Sequence, residues 1–192
     1  MRRHALFIAV AGTCLGIDQG TKHAVMAEIP YQRSVEVLPG VLRLRHVHNE
    51  AAAFGLLRQV PEAWRIPVLV GVSGAAILLI LAMYRSTRPD RPASVLGLAL
   101  VLGGALGNLY DRVSYGHVVD FIQFQGRLRD WYWQWPTFNA ADVFISLGVG
   151  LLIVDLLRRG DPDPLDAPEA ERPSEALSHA ADVPEPETLE HS

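Results

Sequence analysis

Four long apolar stretches constrain what this 192-residue chain can fold into. A helix needs about 20 mostly apolar residues to cross the hydrocarbon core of a bilayer. The second and third stretches contain no charged side chain between Ile66 and Tyr84 or between Ala93 and Tyr110. Runs of this length are not typical of buried helices in soluble proteins. We therefore predict an all-α polytopic membrane protein with four transmembrane helices, at about 5–27, 66–84, 93–111 and 138–157.

Clusters of arginine predict how these helices are oriented. One cluster precedes the first helix, one separates the second from the third, and one follows the fourth: Arg2, Arg3, Arg85, Arg88, Arg91, Arg158 and Arg159. If four helices alternate in direction, all three clusters lie on one side, which should be the cytoplasm. The outward connections, about 28–65 and 111–137, carry arginines too, so the bias is incomplete. The pattern predicts a multi-pass protein with both termini in the cytoplasm.

The outward segment at about 30–60 has a different pattern. Apolar residues alternate with polar ones on both sides of Pro39-Gly40, which is typical of two strands joined by a turn. We expect a small extracytoplasmic β-sheet here. The second outward segment contains four closely spaced aromatic residues, Trp131, Tyr132, Trp133 and Trp135. Such residues favour the membrane–water interface, and a small aromatic core under a loop is the alternative.

The C-terminal segment 160–192 differs from the rest of the chain in composition. It contains ten acidic residues and one arginine, whereas the net charge of the whole chain is −4. It has too few large apolar residues to offset the entropy lost on ordering. We predict a disordered cytoplasmic tail that follows a membrane domain at 1–159.

The composition argues against metal and disulfide chemistry. Cys14 is the only cysteine, which leaves no intrachain disulfide, and the seven histidines form no compact ligand motif. We predict no metal, no cofactor and no nucleic-acid partner. Arg2-Arg3 and the apolar run to Cys14 also fit a cleavable signal peptide. Thr13, however, is a poor cleavage residue, and three further spans follow.

Two opposite charges lie within the first predicted helix. Charged side chains in a span are costly and usually functional. Asp18 and Lys22 are four residues apart, so they share a helical face and can pair. The structural interpretation is a neutralised pair that fixes the helix end. The functional interpretation is a contact to substrate backbone or lipid headgroup.

Two acidic residues lie at the outward side of the predicted bundle. Asn139 and Asp142 have the spacing of a helix N-cap and an acid that reaches back to it, so Asp142 has a structural explanation. Asp120 has mostly apolar neighbours, which is unusual for a solvated surface acid. Two carboxylates close together cannot both ionise easily, so one retains a proton. Such a pair can activate water and protonate a scissile amide, which predicts peptide hydrolysis without a metal.

The end of the third helix combines small and polar residues. The run 103–107 is rich in glycine, and small residues let helices approach closely in lipid. Asn108 and Arg112 are one turn apart. They either satisfy the helix end or direct polar groups into the site. Ser73, in the second span, is expected only to pack between helices.

Five motifs, at 18–22, 49–55, 103–112, 116–121 and 138–142, occur in an order that resembles the lipoprotein signal peptidases, or signal peptidase II. The resemblance covers the whole predicted membrane body. It implies an aspartic endopeptidase in which Asp120 and Asp142 form the catalytic pair. The residues that it implies line or support the site are Asp18, Lys22, Asn49, Phe54, Gly104, Asn108, Arg112 and Asn139.

The resemblance also implies a substrate and a location. The substrate would be a prolipoprotein whose cysteine carries diacylglycerol, cut just before that cysteine. The enzyme would act as a monomer among the lipids of the bacterial cell inner membrane, with its site near the outer face and the sheet as a cradle. One residue departs from the family pattern, because Ala51 stands where glycine is usual. The alternatives are a small proton-coupled transporter and a non-enzymatic membrane scaffold.

Overall fold

The computed structural model of the protein describes residues 2–49, 61–88, 90–129 and 131–158. Phe54, Ala51 and the tail at 160–192 lie outside this range, so the predictions made for them stay predictions. The chain divides into a compact unit, Met1–Asp155, and a second unit, Leu156–Ser192, of which the structure describes 156–158. Four helices and four strands make up the described part: α1 (Arg2–Glu28), β1 (Ser34–Leu38), β2 (Leu42–Asn49), α2 (Glu62–Ser86), α3 (Pro92–Tyr115), β3 (Val118–Leu128), β4 (Trp131–Gln134) and α4 (Ala140–Leu157).

Three of the helices in the described range are long and apolar enough to cross a membrane: Ala63–Ser86, Pro92–Tyr115 and Ala140–Leu157. Few residues of the first and third of these segments are buried inside the protein, as expected for helices that face lipid. Helix α1 has 27 residues and is long enough, at about 40 Å. Its internal charges make it less apolar, so its membrane crossing stays a prediction.

Helix α3 is the central helix of the bundle. Its residues Val95, Leu98, Ala99 and Leu102 are buried against side chains of α1 and α2. Glycines bring its backbone close to the neighbouring helices. A Cβ added at Gly103 would lie 2.7 Å from the Ala11 carbonyl oxygen in α1, and one added at Gly104 would lie 2.5 Å from the Ala141 carbonyl oxygen in α4. The predicted role of small residues in close packing is therefore confirmed.

The strands form one antiparallel sheet in the order β1-β2-β3-β4. The predicted hairpin around Pro39-Gly40 is confirmed, and Gly40 has a φ of 72°, which glycine adopts without strain. The sequence did not predict β3 or β4. Residues 118–121 are all buried, so the start of β3 is covered on both faces and lacks the alternation that marks a half-exposed strand.

The aromatic residues predicted for the membrane interface lie on and beside β4. Trp131, Tyr132, Trp133 and Trp135 are 67, 51, 38 and 61 % exposed. They therefore do not form a core under a loop. Trp133 covers Gly126 of β3, its partner across the sheet.

A buried ion cluster joins α1 to α3. Lys22, the only lysine of the chain, is 1 % exposed. Its Nζ lies 2.7 Å from Asp18 Oδ2, 2.8 Å from Asp111 Oδ2 and 3.0 Å from Asn108 Oδ1. These three acceptors match the three N–H groups of an ammonium. The predicted Asp18–Lys22 pair is confirmed, and Asp111 is an additional partner.

The glycine contacts predict a difference between two alanine substitutions. Gly104→Ala places a methyl group against the Ala141 carbonyl, a backbone atom that cannot move cheaply, and overpacking costs about 1–3 kcal/mol. Gly71→Ala in α2 is the matched control, because its added Cβ would meet nothing within 4 Å. Thermal unfolding in detergent should show a lower midpoint for Gly104→Ala only. Equal midpoints would show that α3 and α4 do not pack as described.

The ion cluster predicts that Lys22 is not replaceable by a neutral residue. Lys22→Met leaves two buried carboxylates without a cation, and removing one partner of a buried pair costs about 3–5 kcal/mol. Lys22→Arg should recover little, because a planar guanidinium does not match three acceptors around one nitrogen. The measurement is the free energy of unfolding in detergent, with the exposed ion-pair variant Arg88→Gln as control. A Lys22→Met protein as stable as this control would contradict the cluster.

Candidate active site

Asp142 lies in the first turn of α4 and closes a capping box. Its Oδ2 accepts the Asn139 backbone N–H at 3.2 Å, and Asn139 Oδ1 accepts the Asp142 N–H at 3.0 Å. The predicted capping is confirmed. It occupies only one of the two carboxylate oxygens, because Asp142 Oδ1 accepts a hydrogen bond from Asn108 Nδ2 at 3.0 Å. Capping therefore does not account for all the contacts of Asp142.

Asp120 lies in β3 and is 3 % exposed. Strand pairing sets Asn49 of β2 beside it, and Asn49 Nδ2 donates to Asp120 Oδ2 at 3.0 Å. Asn139 Nδ2 donates to Asp120 Oδ1 at 2.7 Å. Burial raises the pKa of the Asp120 carboxyl to about 7, and the charge of Asp142 also raises it, against the hydrogen bonds from Asn49 and Asn139 and the charge of Lys22. The carboxyl therefore retains its proton at pH values where an ordinary aspartate is ionised.

Asn139 connects the two acids. Its backbone N–H binds Asp142 and its side-chain amide binds Asp120. The same amide donates to Asn108 Oδ1 at 3.2 Å. One residue therefore holds a carboxylate from a helix N-terminus and a carboxyl from a strand in a single polar cluster.

The buried ion cluster fixes the backbone next to each of these acids. Asp18 Oδ1 accepts the N–H of Ala141 at 2.9 Å, and Asp111 Oδ2 accepts the N–H of Val119 at 3.1 Å. Each donor belongs to the residue immediately before Asp142 or Asp120. Lys22 forms an ion pair with each of the two accepting carboxylates. The predicted Asp18–Lys22 pair therefore belongs to a cluster that, through Asp18 and Asp111, contacts both chain segments that carry the acids.

Asp111 was not among the predicted site residues. Its sequence signal was present, because it directly precedes Arg112 and follows Asn108 by three residues at the end of α3. Besides Lys22 and Val119, it accepts a hydrogen bond from Gln19 Nε2 at 2.8 Å. Lys22 already had one apparent partner in Asp18, so this signal was not interpreted as a second partner for the lysine.

The remaining predicted residues of α3 lie beside this cluster. A Cβ at Gly107 would collide with the Asp18 carboxylate, so glycine is required for the approach of α1. Arg112 Nη1 donates to the Asn108 carbonyl at 3.1 Å and to Ser73 Oγ at 3.4 Å. The bond to the Asn108 carbonyl satisfies the end of α3, as one of the two interpretations predicted. The bond to Ser73 shows that this serine also accepts a hydrogen bond and does not only pack between helices. Arg112 Nε is buried and has no hydrogen-bond partner among the described residues, so its N–H is available to a further acceptor.

Two imidazoles and one phenol ring stack beside the sheet, near the end of α1. The His48 and His117 rings are 3.7 Å apart, and Tyr31 stacks on His48 at 4.2 Å. Within the described ranges, no set of three or more His, Cys, Asp or Glu side chains is arranged to hold a metal ion.

Comparison with known proteins gives consistent matches over most of the chain. The profile of the family described as Signal peptidase (SPase) II matches residues 10–158. The lipoprotein signal peptidase of Nitratidesulfovibrio vulgaris (strain DP4) is 36 % identical over 84 % of this chain and 94 % of its own length. That of Moorella thermoacetica (strain ATCC 39073 / JCM 9320) is 42 % identical over 79 % and 92 %.

The fold also matches solved structures. A bacterial membrane enzyme determined by the in meso method at 2.3 Å resolution superposes with a TM-score of 0.67, at 26 % identity, over 83 % of this chain and 94 % of that one. A similar structure at 1.9 Å resolution gives a TM-score of 0.68, at 28 % identity, over 81 % and 94 %. From the profile match and the relatives covered over nearly their whole length, the chain belongs to the signal peptidase II family.

Proposed function

We propose that this chain is an aspartic endopeptidase that cuts diacylglyceryl-modified prolipoproteins just before the lipidated cysteine, with Asp120 and Asp142 as the catalytic pair. The observation that carries the proposal is the bridge through Asn139, which links two carboxyl groups from separate elements. The general activity follows from membership of the family. The chain is a peptidase of a bacterial membrane, and its family supports removal of signal peptides from prolipoproteins.

The contacts of the two acids give them different roles. Asp120 is buried and holds a proton near neutral pH, so it can donate that proton to the scissile carbonyl oxygen. Asp142, as the carboxylate, takes a proton from water. The water oxygen forms a bond to the carbonyl carbon, and the π electrons of the carbonyl become the O–H bond made with the proton from Asp120.

The tetrahedral intermediate then breaks down. The carbonyl re-forms by returning a proton to Asp120, the C–N bond breaks, and the leaving nitrogen takes the proton held by Asp142. Both acids regain their starting states without a covalent enzyme intermediate. Asn49, Asn139 and Asn108 orient the carboxyl oxygens through the hydrogen bonds described above.

The location of the acids suits a substrate anchored in lipid. Asp142 is at the N-terminal end of α4, and Asp120 is in a sheet that follows the C-terminal ends of α1 and α3. With four alternating spans and cytoplasmic termini, this end of the bundle faces outward. The acyl chains of the modified cysteine can stay in the bilayer while the bond before it reaches the acids. We propose that the chain acts as a monomer surrounded by membrane lipids, with the sheet as a cradle.

The two alternatives explain less of the site. A scaffold accounts for Asp142 as a cap but gives no role to a buried Asp120 with a raised pKa. Transporter sites favour the bilayer midplane and broken helices. Here both acids lie near helix ends, and α4 is continuous from Ala140 to Leu157.

Substitution of each acid separates catalysis from capping. Asp120→Asn and Asp142→Asn should each lower the rate of prolipoprotein cleavage by about 10²–10⁴-fold, because neither amide can exchange protons with water or the substrate. At position 142 the amide oxygen can still accept the Asn139 N–H, so α4 should start normally. The measurement is a gel-shift cleavage assay on a diacylglyceryl-modified prolipoprotein, with the exposed Asp90→Asn as control. A folded Asp142→Asn enzyme that cuts at the control rate would leave Asp142 only a capping role.

The raised pKa of Asp120 predicts how cleavage depends on pH. The reaction needs the protonated carboxyl, so the rate should fall as pH rises through about 7. The pair needs one protonated and one ionised carboxyl group, so we expect a bell-shaped profile. A rate that stays flat from pH 6 to about 9 in folded enzyme would exclude Asp120 as the proton donor.

Stability provides an independent measure of the same group. A carboxyl whose pKa is raised by folding contributes stability that is present below its unfolded pKa of about 4 and lost as pH rises towards 7. Asp120→Asn removes this dependence. The difference in unfolding midpoint between Asp120→Asn and wild type should therefore become more positive from pH 5 to pH 8. The same difference for Asp90→Asn should not change in this way.

A further inference from the structure

A groove lies between α1 and α2, at the opposite end of the bundle from the acids. It has a volume of about 300 Å³ and is lined by His4, Phe7, Ile8, Leu81, Tyr84 and Arg85. These residues come from the first two turns of α1 and the last two turns of α2, whereas Asp18 and Lys22 belong to the other half of α1. The groove is therefore separate from the candidate active site.

The floor of the groove is apolar and rigid. The rings of Phe7 and Tyr84 stack with centroids 3.8 Å apart and planes inclined by 16°, and both residues are buried. Ile8 and Leu81 extend the apolar lining along the helices, and Ile8 is mostly exposed. An exposed apolar groove between two helices of a membrane protein is complementary to an acyl chain.

The rim of the groove is basic. Arg85 and His4 line it directly, and no acidic residue does. The Arg3 guanidinium lies 4.6 Å from the centre of the Tyr84 ring, and its Nη2 donates to the Tyr84 carbonyl at 2.5 Å. Its Nε is buried and meets no hydrogen-bond partner in the part of the chain that the structure describes. Arg85 and His4 thus line the groove, and the Arg3 guanidinium packs against the Tyr84 ring that forms part of the lining.

The Tyr84 hydroxyl sets the orientation of His4. Tyr84 Oη and His4 Nδ1 are 2.7 Å apart, and the two rings meet edge to face at 5.8 Å. When the hydroxyl donates to Nδ1, the imidazole proton is on Nε2, which can then donate to an anion. The aromatic pair therefore supports the polar rim as well as the apolar floor.

We propose that this groove binds one anionic phospholipid, with its phosphodiester at Arg85 and His4 and an acyl chain along Phe7, Ile8 and Leu81. Charge complementarity selects the occupant, because an apolar channel with a basic mouth matches a lipid that carries net negative charge. Given the topology under Proposed function, the lipid belongs to the cytoplasmic leaflet. The binding itself does not depend on that topology or on catalysis.

The test is the thermal unfolding of the full-length protein in neutral detergent, titrated with phosphatidylglycerol or with phosphatidylcholine of the same acyl chains. A ligand that binds only the folded state raises the unfolding midpoint. Phosphatidylglycerol should raise it at lower concentration than phosphatidylcholine. Arg85→Gln should require about fivefold more phosphatidylglycerol for the same shift, since one basic side chain lost near an anionic headgroup weakens binding by about that factor.

Three controls make the outcome specific. Arg85→Lys should keep the preference, and Arg88→Gln, which removes a charge from the adjacent exposed loop, should keep it too. Glycerophosphoglycerol, the headgroup without acyl chains, should give no shift. Equal shifts with both lipids, or equal loss in Arg85→Gln and Arg88→Gln, would overturn the site. A full shift with the headgroup alone would also overturn it, because the ligand would then be a free phosphate ester.

Cleavage of the prolipoprotein distinguishes this inference from the proposed function. Asp120→Asn should lose cleavage and keep the phosphatidylglycerol shift, whereas Arg85→Gln should need more phosphatidylglycerol for the shift and still cut in detergent. A wild-type protein that cuts normally but shows no lipid preference contradicts the groove alone. A wild-type protein that shows the lipid preference without cleavage contradicts the catalytic proposal alone.

Discussion

The buried ammonium of Lys22 is the interaction on which the rest of the site depends. It lies between Asp18 and Asp111, so each of these two fully buried carboxylates has the ammonium as an ion-pair partner. Each of those carboxylates then has an oxygen available for a backbone N–H. An ion pair of one lysine and one acid could hold the backbone of only one chain segment. Two acids around one cation fix two segments, one in α4 and one in β3.

Glycine makes this arrangement geometrically possible. The Asp18 carboxylate occupies the space that a Cβ at Gly107 would take, and the Ala141 carbonyl lies where a Cβ at Gly104 would be. Helices α1 and α4 therefore both pack closely against the backbone of α3. With the helices this close, short side chains such as Asn108 can reach Lys22 and Asp142 together. The polar network therefore depends on the close helix packing that the glycines allow.

Much of this fold follows from local sequence. Hydropathy predicts all four helices, with α3 continuing to Tyr115, a few residues beyond the apolar run. The turn at Pro39-Gly40 and the Asn139–Asp142 cap are also local features, and both occur. Strand β3 was missed because its buried first half has no alternation to detect.

The contacts that define the site are harder to derive from sequence because they join distant segments. Asn139 reads locally as a helix cap, and its amide contact to Asp120 exists only once β3 lies beside α4. In the sequence, Asp111 is one more charged residue near a helix end. Its role as an ion-pair partner depends on Lys22, which belongs to another helix. Residue type and spacing can nominate such groups, but only the packing of helices around α3 determines which of them meet.

The positions of the four tryptophans have a practical consequence for optical experiments. Trp131, Trp133 and Trp135 lie on or beside β4, and Trp64 lies at the start of α2, the end away from Arg85. The tryptophan emission of the protein therefore originates from the end of the bundle that carries the two acids, and all four indoles are partly or largely exposed. The opposite end contributes no indole signal. A wavelength shift or quenching on addition of a lipidated peptide thus reports on that end alone, without an introduced label.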